Sequence, residues 1–123
     1  MPVTGLNHVN IRTTDIAKSA GFYVEVFDFE YRQGPGVAGN QSNWLFDRQG
    51  RPIIHLRLRA PESSSTGPID HVALNCEGKA EILRRLEARK IEFKVFENAG
   101  SGLTQVFLRD PHGIPLELNF TGQ

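Results

Sequence analysis

Three histidines and one glutamate hold the chemistry that this sequence can do. His8 sits in Leu6-Asn7-His8-Val9-Asn10-Ile11-Arg12, and His71 sits in Ile69-Asp70-His71-Val72-Ala73-Leu74-Asn75. An alternating apolar run is thus written twice, with histidine at the same place. His55 lies in a third such run, Ile53–Arg59, and Glu117 in a fourth, Ile114–Phe120. Successive side chains of a strand point to opposite faces. Val9 and Ile11 therefore oppose His8, Asn10 and Arg12, while Ile54, Leu56 and Leu58 oppose His55, Arg57 and Arg59. Val72 and Leu74 oppose His71, Ala73 and Asn75, while Leu116, Leu118 and Phe120 oppose Glu117 and Asn119. One face of each strand is apolar enough to pack under a helix; the other is polar. If two curled half-sheets face each other, the four marked residues converge in a cup. Three imidazoles and a carboxylate are nitrogen and oxygen donors suited to one divalent metal ion such as Fe, Mn, Ni, Co or Zn. A lone strand histidine is ordinarily a surface or hydrogen-bonded residue; the matched repeat positions are what single these out.

The same faces suggest a substrate. Arg12, Arg57 and Arg59 on the polar side suit an anionic molecule, with Asn10 and Asn119 as neutral contacts beside them. The alternative for the arginines is a solvated strand face. Trp44, Phe46, Phe107 and Tyr31 either line the cup or pack the core. Cys76 falls on an apolar face and is expected in the core; His112 is expected to be an exposed turn residue.

The elements that must position these residues repeat in order. Leu6–Arg12 reads as a strand. Thr14 or Asp15 can cap a following helix, in which Ile16, Ala20, Tyr23 and Phe27 recur at helical spacing. Phe29–Gln33 is a short strand and Gly34–Ser42 a glycine-rich loop. Asn43–Asp47 and Ile53–Arg59 are strands around the turn Arg48-Gln49-Gly50. Residues 60–68 form a polar, Pro- and Gly-containing linker. The second half follows with strand Ile69–Cys76, helix Lys79–Lys90 with Ile82, Leu83 and Leu86 on one face, and strands Ile91–Glu97, Leu103–Arg109 and Ile114–Phe120. Asp110-Pro111-His112-Gly113 has the residues of a tight turn. The predicted fold is α+β: one domain over 1–123, made of βαβββ modules at 1–60 and 68–123 around a linker at 61–67. Each half has too little core to stand alone, so the halves are expected to pair.

Composition narrows the function classes. The chain has 123 residues, 14 Lys plus Arg against 14 Asp plus Glu, and a formal net charge of zero. That balance gives no sign of a nucleic-acid or anionic-membrane partner. No apolar run is long enough to span a bilayer, and the N-terminus lacks the apolar core of a signal peptide. A single cysteine forbids an internal disulfide, so a cytoplasmic location is the expectation.

The chain resembles the vicinal oxygen chelate superfamily, which includes glyoxalase I, fosfomycin-resistance proteins, bleomycin-binding proteins, methylmalonyl-CoA epimerase and extradiol dioxygenases. The resemblance covers almost the whole chain. It is carried by LNHVNIR with the helix containing Gly21-Phe22-Tyr23, by PIIHL before the linker, by IDHVALN after it, and by the ending RDPHGIPLELNF. It implies a glyoxalase-like fold with a cup-shaped mixed sheet, commonly within a homodimer. It implies metal ligands at His8, His55, His71 and Glu117, where chelating oxygens of a small-molecule substrate meet the metal.

The departures shape the expected activity. Glyoxalase I usually has a carboxylate where this chain has His55, and uses it as ligand or proton acceptor. His55 could ligate, act as a base beside Glu117, or contact substrate. Arg12 stands where glyoxalase I has an arginine that helps bind glutathione. The fosfomycin enzymes share His8, His71 and Glu117, but segment Glu97–Gly102 has no counterpart of their substrate-binding lysine. Extradiol dioxygenases hold ferrous iron with two histidines and a carboxylate, which His8, His71 and Glu117 would supply, although those enzymes are longer. Bleomycin-binding members lack the metal ligands. The expected function is a metal-dependent, glyoxalase-like lyase or isomerase acting on a small, oxygen-rich, anionic substrate. The alternatives are an extradiol-type dioxygenase and a non-catalytic binding or resistance protein. Loop Gly34–Ser42 and segment Asn98–Gly102 are expected to border the site and set specificity.

Overall fold

The computed structural model describes residues 2–121; Met1, Gly122 and Gln123, at the outer ends of the two expected modules, lie outside the described residues. The chain divides into two compact units, Met1–Glu62 and Ser63–Gln123.

In the first unit, β1 (Val9–Thr13) leads into α1 (Ile16–Phe27), then β2 (Glu30–Arg32), β3 (Trp44–Phe46) and β4 (Pro52–Leu58). The sheet order is β1-β4-β3-β2, with β1 parallel to β4 and the other pairs antiparallel. Asp15 is the N-cap of α1, and its carboxylate accepts from the Lys18 N–H at 3.0 Å. Buried hydroxyls of Thr13 and Ser19 meet at 2.8 Å and tie the strand end to the first helical turn. The helix buries Ala20, Phe22, Tyr23 and Val26. Ile11, Leu45, Ile54 and Leu56 are buried from the sheet, as alternation requires.

The second unit repeats the order: β5 (Val72–Cys76), α2 (Lys79–Ala88), β6 (Phe93–Asn98), β7 (Leu103–Arg109) and β8 (Pro115–Thr121). Its sheet runs β5-β8-β7-β6, with β5 parallel to β8. Leu116, Leu118 and Phe120 are all at most 3% exposed, and Val106, Leu108, Ile82 and Leu86 are buried as well. The turn between β7 and β8 closes as expected: Gly113 N–H donates to the Asp110 carbonyl at 3.0 Å. The buried Asp110 carboxylate accepts from the N–H groups of His112 and Ile114, each at 2.9 Å. The architecture is therefore α+β, two βαβββ modules each built on an open four-stranded mixed sheet.

Four local expectations come out differently. Strands β1 and β5 begin one residue after their histidines, so His8 and His71 precede the ladders. Leu58 closes β4 and is 68% exposed rather than buried with Ile54 and Leu56. His112 and Cys76 are half-buried, not fully exposed and fully buried respectively.

Candidate functional site

In the first unit the polar face is organised by the pairing of β4 with its two neighbours. His55 stands opposite Asn10 of β1 and opposite Trp44 of β3, so all three side chains share one face. The Trp44 and His55 rings are stacked, with centroids 4.1 Å apart and planes 7° from parallel. His8 meets Trp44 edge-on at 4.8 Å and His55 at 6.3 Å between centroids. His55 is 6% exposed, and its Nε2 lies 3.0 Å from the Ser42 carbonyl oxygen. A carbonyl can only accept, so Nε2 carries the proton and Nδ1 is the remaining acceptor of the neutral ring.

Loop residues 34–42 are bolted to this cluster. The Trp44 indole N–H donates to the Pro35 carbonyl at 3.0 Å, and Ser42 holds His55. A Cβ at Gly34 would stand 2.6 Å from the Trp44 ring, so only glycine lets the backbone pass there. The loop thus borders the candidate site.

The three arginines differ. Arg12 is half-buried and pairs with Glu62 at 3.1 Å. Glu62 is 84% exposed, so the pair contributes little. Arg57 stands level with Arg12 across β1 and β4 and is exposed. Arg59 is exposed just beyond β4, its N–H bonded to the Thr13 carbonyl at 2.9 Å. Asn10 is exposed.

In the second unit the histidine and the glutamate come together. His71 Nε2 and Glu117 Oε1 are 3.4 Å apart. His71 Nδ1 lies 2.8 Å from the Asp70 carboxylate, which only accepts, so Nδ1 carries a proton. The neutral ring then keeps its lone pair on Nε2, the atom beside Glu117. The hydrogen bond to Asp70, reinforced by the charges of Glu117 and Asp70, outweighs desolvation and raises the His71 pKa above its ordinary value. The other Glu117 oxygen accepts from the Asn119 amide at 2.9 Å, and the Asn119 carbonyl accepts from Gln105 at 3.3 Å. Phe107 stands opposite Glu117 on β7 and meets Phe96 edge-on at 5.5 Å.

The His71–Glu117 pair fits two neighbouring ligand positions of a metal ion. Bonds of about 2.0–2.2 Å meeting near the tetrahedral angle put two donor atoms about 3.4 Å apart, the separation found between His71 and Glu117. A ligating histidine typically gives its other N–H to a carboxylate or carbonyl, as His71 gives Nδ1–H to Asp70. His8 does the same toward the Asn7 amide oxygen, at 2.7 Å. Among the described residues no three His, Cys, Asp or Glu side chains form a metal-holding group. The expected ligands fall as two pairs: His8 with His55 in the first unit, His71 with Glu117 in the second.

Asn7, Asp70 and Gln105 were not expected at the site, and Ser42 was expected there only as the end of the bordering loop. The first two had a visible signal, since an Asn or Asp stands directly before the histidine in both copies of the repeated strand. Gln105 had none, because strand register brings it in, and the bond from Ser42 to His55 depends on the loop path.

A family model described as the Glyoxalase/Bleomycin resistance protein/Dioxygenase superfamily matches residues 5–118. Among solved structures, a glyoxylase/bleomycin resistance protein/dioxygenase domain from Frankia sp. EAN1pec is similar at TM-score 0.71 and 19% identity, over 97% of this chain and 98% of that one. The genomically encoded fosfomycin resistance protein FosX from Listeria monocytogenes is similar at TM-score 0.69 and 18% identity, over 96% and 93%. A glyoxalase family protein from Enterococcus faecalis is similar at TM-score 0.66 and 24% identity, over 97% and 99%. No curated protein matches the chain. The likeness to the solved structures is one of fold, and the family match spans nearly the whole sequence: the chain has a glyoxalase-like fold and belongs to the glyoxalase/bleomycin resistance protein/dioxygenase superfamily, the vicinal oxygen chelate group.

Proposed function

We propose that this protein is a metal-dependent enzyme of the vicinal oxygen chelate type, a glyoxalase-like lyase or isomerase of a small, oxygen-rich, anionic substrate. The observation that carries this is the His71–Glu117 pair, set at 3.4 Å with the outer ring nitrogen already bonded to Asp70. Superfamily members generally use a divalent metal. Here His8, His71 and Glu117, with His55 as a fourth candidate, are the residues that would hold such an ion, and the protein acts as a homodimer. When bound, such an ion supplies Lewis acidity to two neighbouring substrate oxygens.

The chain's own residues do the rest. Arg12, Arg57 and Arg59 pair with a carboxylate or phosphate of the substrate. Asn10 contacts its neutral oxygens, as does Asn119 through the amide proton not spent on Glu117. Glu117 and His55 are the proton carriers, His55 through Nδ1 because Nε2 is held by Ser42. A cytoplasmic setting, expected from the lone cysteine, belongs to the same proposal.

One observation favours a second reading. His55 is buried against Trp44 and bonded to the Ser42 carbonyl, which suits a supporting role. His8, His71 and Glu117 would then form the two-histidine, one-carboxylate set of an extradiol-type dioxygenase.

Purified protein loaded in turn with Zn, Ni, Co, Mn or ferrous ion should turn over hemithioacetals, catechols or fosfomycin with one metal, and lose turnover on chelation. If His55 is a ligand or proton carrier, His55→Ala should abolish isomerase turnover; if it only supports the triad, the variant should keep its metal and ring-cleaving activity. His55→Glu should raise activity on hemithioacetals if the centre is glyoxalase-like. Ligand binding that survives both chelation and Glu117→Ala would instead mark a non-catalytic binding protein.

A further inference from the structure

We propose that the residues directly preceding the two repeated histidines, Asn7 and Asp70, together with Asn119, are positioning residues that fix which atoms of His8, His71 and Glu117 are offered to a metal ion. The inference rests on the metal reading above and deepens it.

Adjacent side chains of a strand point to opposite faces and cannot bond each other. Here they do, twice, at the same offset and on the same ring atom: Asn7 Oδ1 to His8 Nδ1 at 2.7 Å, and Asp70 Oδ2 to His71 Nδ1 at 2.8 Å. The reason is local. Both histidines stand one residue before the first residue of their strands, so the backbone there is not bound to the pleat. Each acceptor oxygen places the ring proton on Nδ1 and leaves Nε2 as the lone pair. For His71, Nε2 is the atom beside Glu117.

Glu117 is held in turn. Asn119, two residues on and therefore on the same face of β8, donates to Glu117 Oε2 at 2.9 Å. Gln105, opposite Asn119 on β7, donates to its carbonyl and sets the amide's orientation. Oε1 is left for His71 and a shared ion.

The two acceptors are not equivalent. Asp70 makes a charge-assisted bond, roughly twice as strong as the neutral one from Asn7. His71 should therefore be the more sensitive to loss of its neighbour. Outer-shell groups of this kind typically contribute about 10–100-fold in metal affinity.

Zinc and cobalt titrations of the full-length protein at one pH, with the cobalt absorption spectrum, test this. Asp70→Ala and Asn119→Ala should each weaken binding about 10–100-fold and alter the spectrum. Asp70→Asn should fall between wild type and Asp70→Ala, and Asn7→Ala should cost less than Asp70→Ala. Wild-type affinity in Asp70→Ala and Asn119→Ala, with binding lost in His71→Ala, would overturn the positioning role and leave the metal reading intact. Wild-type affinity in both His71→Ala and Glu117→Ala, or no binding by the wild type, overturns both. Because a substitution could disturb folding, nitrogen NMR of the unsubstituted, metal-free protein gives a second measurement. The neutral rings of His8 and His71 should carry the proton on Nδ1; the opposite tautomer at His71 overturns the proposal on its own.

Discussion

At the residue scale, Cys76 shows how environment sets reactivity. Its thiol is half-buried at the end of β5, and burial pushes its pKa up to about 11. Desolvation disfavours the thiolate, which is the nucleophilic form. At pH 8 roughly one thiol in a thousand is then ionised. We expect alkylation by iodoacetamide to be far slower than for a free cysteine and to keep accelerating as pH rises toward 11. Mass spectrometry of timed samples checks this; rapid labelling at neutral pH in the folded protein would contradict the burial. Cys76 is the chain's one cysteine, so the measurement needs no deconvolution.

Among the elements, loop 34–42 matters most, because it controls two aromatic side chains at once. It accepts the Trp44 indole N–H at Pro35, bonds the His55 ring at Ser42 and runs past the Trp44 ring at Gly34. Gly34→Ala puts a methyl 2.6 Å from the indole, a contact that cannot stand, and Trp44 is 3% exposed with little room to retreat. Overpacking of this kind costs about 1–3 kcal/mol. Urea denaturation should show that loss. The chain's single tryptophan makes its fluorescence a direct report on the stack, and a shifted emission maximum is expected in the folded variant. An unchanged midpoint and spectrum would mean that the loop does not press on Trp44.

For the whole molecule, the consequence is linkage. An ion that binds the native chain and not the unfolded one stabilises it by about 2.7 kcal/mol at a hundred times its dissociation constant. Thermal unfolding should therefore shift upward with added zinc or cobalt, increasingly with concentration. His71→Ala and Glu117→Ala should flatten that dependence while the metal-free midpoints stay close to wild type, since His71 is exposed just ahead of β5 and Glu117 lies on the β8 face opposite buried Leu116 and Leu118. A wild-type midpoint indifferent to every divalent ion would argue for a binding protein without metal. Sedimentation of the same samples would report whether the chain is a homodimer.

Much of this molecule is legible in one dimension because it depends on local period. Alternation in Leu116–Phe120 sets which side chains are core and which accompany Glu117. Asp15 caps its helix, and Asp110-Pro111-His112-Gly113 makes its turn, each through bonds that span a few residues. The repeat of His8 and His71 exposes the two modules. His55 was different: its polar face read correctly, but its burial came from the register that sets Trp44 opposite it and from a loop path that delivers the Ser42 carbonyl. The bond between Gln105 and Asn119 likewise exists only because β7 and β8 pair as they do. Leu58, the last residue of β4, looked like core by period and is exposed. Period two is a property of each strand alone, whereas register and loop path are relations between segments far apart in sequence, and only folding brings those segments together.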